Sequence, residues 1–128
     1  MKPSTMSQWA ADPASGGASA ASRPIDLVHL SKYTLGDRSL ETELLGLFRA
    51  QADIYLSRLA DAVGDSEWKN AAHSLKGSAC GLGAWTLAEV AGEAEALCAD
   101  AGSRADVMAR IRDAVTAVNG FIDSFAEV

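Results

Sequence analysis

From Pro24 onward, apolar residues recur at three- and four-residue steps, and nowhere do they alternate as a half-buried strand would. Asp26 can cap a short helix through Tyr33, which Gly36 ends. Asp37 caps the next helix. Its Leu40, Leu44, Leu47, Phe48, Tyr55, Leu59 and Val63 predict one apolar stripe that reaches Val63. Gly64 stops that helix, and Asp65 caps a third from Ser66 to about Leu82, with Gly83 as its C-terminal stop. A fourth helix carries Leu87, Val90, Ala91, Ala94, Leu97 and Cys98 as its stripe, and "DAG" at 100–102 ends it. "SRAD" at 103–106 reads as a capping box with Asp in place of Glu. It opens a last helix with Val107, Ile111, Val115, Val118, Ile122 and Phe125 on one side.

Four amphipathic helices joined by short turns predict an all-α fold, an antiparallel up-down four-helix bundle. The short extra N-terminal helix at 26–33 would lid one end. Residues 1–24 differ: they are Ala, Ser, Gly and Pro with a single Trp9 and no apolar period. Such a segment buries too little to offset its ordering entropy, so 1–24 reads as a flexible tail and 25–128 as one helical domain. No apolar region of the kind a secretory signal needs follows Lys2, and no run of ~18 apolar residues occurs, so no membrane span is expected.

Charge narrows the function classes. The chain of 128 residues carries a formal net charge of −6, and sixteen acids against nine bases leave −7 over residues 25–128. Phosphate backbones need a basic surface, so nucleic acid is excluded as a partner. Cys80 and Cys98 are too few for a disulfide framework and read as reduced thiols of a cytoplasmic protein.

The third helix has an unusual outer face. At about 100° per residue, Ala71, Leu75, Ala79 and Leu82 fall within about 60° of the point opposite His73. They must face the core, so His73 points outward. Lys69, Lys76, Gly77, Cys80 and Ala84 surround it, with Gly81 at the edge of the same face. A helical glycine costs about 0.8–1 kcal/mol relative to Ala, so two of them beside an exposed imidazole suggest close approach of another molecule. Between Glu67 and Glu89 the only charged residues are Lys69 and Lys76, which would attract an anion or an acidic partner. An exposed imidazole is a competent nucleophile toward a phosphoryl group.

Other chemistry-bearing residues read as structural. His29 reads as a surface or end-cap residue, and Cys98 as core. Trp68 and Trp85 flank the motif helix as packing residues, Trp85 also as a candidate rim of the docking surface. Glu93 and Glu95 diverge on their helix and read as a solvated face. Cys80, His29 and Cys98 are poorly spaced for a metal, so no metal site is expected.

At this point the residues resemble a known family. "AHSLKGSACGLGA" is similar to the signature of histidine-containing phosphotransfer (Hpt) domains: His-x-x-Lys-Gly, small residues, then Leu-Gly. Those positions are His73, Lys76, Gly77, Ser78, Ala79, Leu82 and Gly83. "LAEVAGEAEAL" and "IDLVHLSKYTLGDRSLETELLGLF" resemble the family's next helix and its opening helices, so the likeness spans 25–125. Cys80 and Gly81 depart from the polar residue many members carry there.

The resemblance implies a phosphocarrier, not an enzyme with its own ATP-binding kinase region. His73 would take a phosphoryl group on Nε2 from the aspartate of one receiver domain and pass it to another. Lys76 would stabilise its charge. Gly77 would admit the receiver, with Lys69, Cys80, Gly81 and Ala84 around the docking face. Expected partners are response-regulator receivers and a sensor histidine kinase. No cofactor is expected on this chain, Mg²⁺ belonging to the receiver, and one chain supplying four helices predicts a monomer. The alternative is a helical docking module that binds a receiver or kinase without being phosphorylated.

Overall fold

In a computed structural model, residues 23–97 and 101–127 are described. They form five helices: α1 (Leu27–Thr34), α2 (Arg38–Asp61), α3 (Asp65–Leu82), α4 (Trp85–Ala96) and α5 (Ala101–Glu127). No strand occurs among the described residues. The fold class is as the periodicity predicts, all-α. The expected tail over 1–24 lies outside the described residues except for Arg23 and Pro24.

Helices α2, α3, α4 and α5 pack in a ring, each against its two neighbours, and α1 lies across α2 and α3. Cross-links fix the directions. Arg38 at the start of α2 donates to the Phe125 carbonyl near the end of α5 at 2.7 Å, so these two run antiparallel. Trp68 Nε1 donates to the Ala94 carbonyl at 2.7 Å, which joins the first turn of α3 to the last turn of α4. Arg104 near the start of α5 reaches Asp65 at the start of α3 at 2.6 Å. Alternating directions follow around the ring.

The core comes from one face of each helix. Leu45, Ala52, Ala72, Leu75, Ala79, Ala91, Ala94 and Ile111 are all fully buried. The alanines let α3 and α4 approach closely, and the larger side chains of α2 and α5 fill the remaining space.

Local signals explain most boundaries. Asp26 caps α1 by accepting from the His29 amide at 3.1 Å, and Asp37 caps α2 by accepting from the Leu40 amide at 3.1 Å. Gly83 ends α3 in the left-handed region at φ 87. There the Ala84 amide bonds the Ala79 carbonyl at 2.8 Å and the Gly83 amide bonds the Cys80 carbonyl at 3.2 Å.

Four expectations need correction. Gly64, not Asp65, is the N-cap of α3. The side-chain cap comes from Glu67, whose carboxylate accepts from the amides of Val63 and Gly64 at 3.0 and 3.3 Å. The α2 stripe is turned: Glu41, Leu45, Phe48, Ala52 and Leu59 are buried, whereas Leu47 is 58% and Val63 89% exposed. Val63 lies beyond the end of α2 at Asp61. "SRAD" is no capping box, because α5 has already begun at Ala101. Cys98 and Asp100 lie outside the described residues, so the stop assigned to "DAG" is untested at Asp100, and Ala101 and Gly102 belong to α5.

Candidate functional site

The buried face of α3 is Trp68, Ala71, Ala72, Leu75, Ala79 and Leu82. That leaves His73 pointing outward, with its side chain 73% exposed. Its Nδ1 lies 2.8 Å from Glu95 Oε2 on α4. Lys76, one turn further along α3, places Nζ 3.7 Å from Glu95 Oε1. Glu95 therefore bridges the histidine and the lysine.

Electrostatics favour the ionised form of the Glu95 carboxyl. The hydrogen bond from His73, followed by the charges of His73, Lys76 and Lys69, holds the Glu95 carboxyl below its ordinary value. An ionised carboxylate can only accept, so His73 Nδ1 must be the N–H donor. In the neutral ring the lone pair is then on Nε2, the nitrogen opposite the carboxylate. The arrangement leaves an outward-facing imidazole with a defined tautomer.

Glu95 is the main residue that sequence reasoning missed. Taken alone on its helix, it looked like part of a solvated face with Glu93. Glu93 does face solvent and pairs with Arg110 at 2.6 and 3.0 Å. Glu95 instead faces α3. A usable signal was present: in an antiparallel pair turning at Gly83–Ala84, His73 and Glu95 stand ten and eleven residues from the turn, so they lie opposite each other.

The other predicted site residues divide. Lys69 and Lys76 are exposed beside the carboxylate. Gly77 and Gly81 are exposed too, and a Cβ added to either would meet nothing within 4 Å. Packing therefore requires neither glycine. Cys80 is a free thiol, half-buried against the core and only at the margin of the outer face. Ala84 is wrong as a docking residue: it is fully buried. The helical wheel fails there because the chain leaves the helix at Gly83 and turns inward.

His29 is also corrected. It neither caps α1 nor stands free on the surface. Its ring packs edge-on against Trp85 at 4.8 Å and Tyr33 at 5.4 Å. Trp85 Nε1 donates to Asp26 Oδ2 at 2.9 Å, which ties α1 to the start of α4. Among the described residues, no three His, Cys, Asp or Glu side chains gather as metal ligands would.

Beside the glycines runs a groove of about 510 Å³ between α1, α2 and α3, lined by Tyr33, Leu44, Leu47, Ser78 and Gly81 over a floor of Phe48. It is the second feature the sequence reading missed. Leu40, Leu44 and Leu47 lie about 90° round α2 from its buried residues. A single stripe could not hold both sets, and that excess of leucines was the available signal.

The fold and site together define a helical bundle that presents a carboxylate-oriented imidazole on its surface. The family comparison makes this specific. The Hpt domain model matches residues 43–121, most of the chain, and the chain belongs to that family. Hpt domains serve histidine phosphotransfer in phosphorelays, together with receiver domains and histidine kinases, and are phosphocarriers. No curated protein and no solved structure matches the chain significantly. No helix among the described residues is long and apolar enough to cross a membrane.

Proposed function

We propose that this chain is a phosphocarrier whose His73 accepts a phosphoryl group from the aspartate of one receiver domain and passes it to another. The observation that carries this reading is the His73–Glu95 hydrogen bond on an exposed face, which leaves Nε2 free and outward.

In the reaction, the Nε2 lone pair attacks the phosphorus of the receiver's aspartyl phosphate. A P–N bond forms, the P–O bond to the aspartate breaks, and the aspartate leaves as carboxylate. Nδ1 keeps its proton, so the ring gains a positive charge, directly beside the Glu95 carboxylate that stabilises it. Lys76 and Lys69 balance the incoming phosphoryl charge. Gly77 and Gly81 leave room for the receiver's backbone, and the apolar groove next to them offers it contact area. Mg²⁺ acts in the receiver's acidic pocket. On the same reading this domain carries the phosphoryl group rather than taking it from ATP, and works as a cytoplasmic monomer.

The test is phosphoryl transfer. The protein is incubated with a labelled phosphoreceiver and Mg²⁺, beside a His73→Gln variant. Acid-labile label on the wild type, absent from the variant, is the expected result. Binding of the receiver without label would establish the docking module instead.

A further inference from the structure

We propose that the apolar groove between α1, α2 and α3 is an intramolecular docking site for the N-terminal segment 1–22, with Trp9 as its anchor. The groove is lined by apolar and neutral polar side chains only. Tyr33 and Leu47 at its rim are 63% and 58% exposed, more apolar surface than a resting bundle gains from leaving open.

The segment that precedes α1 suits it in place, length and chemistry. Ile25 is fully buried, and the Asp26 amide bonds the Gly83 carbonyl at 2.9 Å. The chain therefore enters α1 beside Gly83, next in sequence to Gly81 and Leu82, which line the groove. Trp9 stands fourteen residues before Arg23. As a coil that separation would have an r.m.s. reach of about 20 Å, while α1 from Leu27 to Tyr33 rises only about 9 Å. A tether of this size gives an effective concentration in the millimolar range, so weak contacts suffice. Residues 1–22 carry only two charged side chains, Lys2 and Asp12, which matches an uncharged groove. Trp9 is the one aromatic among them, and an indole is the side chain that gains most from a site of this volume.

Docking there would cover the edge of Gly81 and compete with any partner that approaches His73 from the α2 side. This consequence rests on the function proposed above, but the docking itself does not.

The experiment compares amide NMR spectra of the wild-type 128-residue chain and Trp9→Ala, with no receiver or phosphoryl donor present. Shift changes at Tyr33, Leu44, Leu47 and Gly81, largely restored in Trp9→Phe, are expected. A separate assay reads receiver affinity, which should rise about twofold in Trp9→Ala. Changes confined to residues adjoining Trp9 in sequence would overturn the proposal. So would groove shifts that grow with protein concentration, because they would mean that a second copy supplies the tryptophan. A chain that never accepts phosphate but shows the concentration-independent groove shifts would overturn the phosphocarrier and leave the docking standing.

Discussion

In the proposed transfer, His73 would attack through Nε2, because Glu95 engages its other nitrogen. Glu95→Gln keeps an acceptor for Nδ1–H but loses the charge that offsets the forming imidazolium, and Glu95→Ala loses both. Transfer rates should therefore fall in the order wild type, Gln, Ala, the last by on the order of tenfold or more. Single-turnover kinetics with one phosphoreceiver check this, and equal rates in all three would remove Glu95 from the chemistry. The glycines make a second residue-scale prediction. Since a Cβ at Gly81 meets nothing within 4 Å, Gly81→Ala should stabilise the fold by about 0.8–1 kcal/mol through helix propensity. The same change should weaken receiver binding. Thermal melting and a binding titration measure the two effects, and a destabilised variant would mean that the glycine serves packing after all.

At the scale of elements, boundaries were the most legible feature where a side chain or a glycine acts locally. Asp26, Asp37 and Gly83 do in the structure what their residue types predict. What stayed hidden depends on contacts between helices: the turned stripe of α2, the inward path of Ala84 and the partner of Glu95. The α3 N-terminus lies between these cases, since Glu67 supplies the cap that Gly64 cannot. Bonds from the Val63 and Gly64 amides hold the Glu67 carboxyl below its ordinary value of 4.5. A lowered folded-state value means that this stability is fully present above 4.5 and is lost as pH falls through the lowered value. Glu67→Gln should thus lower the melting temperature by a few degrees at neutral pH, with the gap closing in acid. Melting curves from pH 7 to 3 read it, and a gap independent of pH would contradict the carboxylate cap.

For the whole molecule, the all-helical class, the helix order and the family were legible because they rest on periodicity and on a short motif inside one helix. The bundle's stability rests on buried positions that the motif helix shares. Leu75, two residues from His73, is fully buried, and Leu75→Ala should cost about 2–5 kcal/mol. Chemical denaturation gives the value directly, and a loss under 1 kcal/mol would mean that the ring of helices collapses onto the space. The Trp68–Ala94 bond joins the helix of His73 to the helix of Glu95 one residue before the carboxylate. That bond pins the two helices together beside the histidine–carboxylate pair. If His73 is the acceptor proposed above, nothing there has to fold, close or unlock before phosphate arrives, and in each encounter the conformational adjustment would fall to the visiting domain. The speed of the relay would then be set by how often its partners adopt a receptive shape.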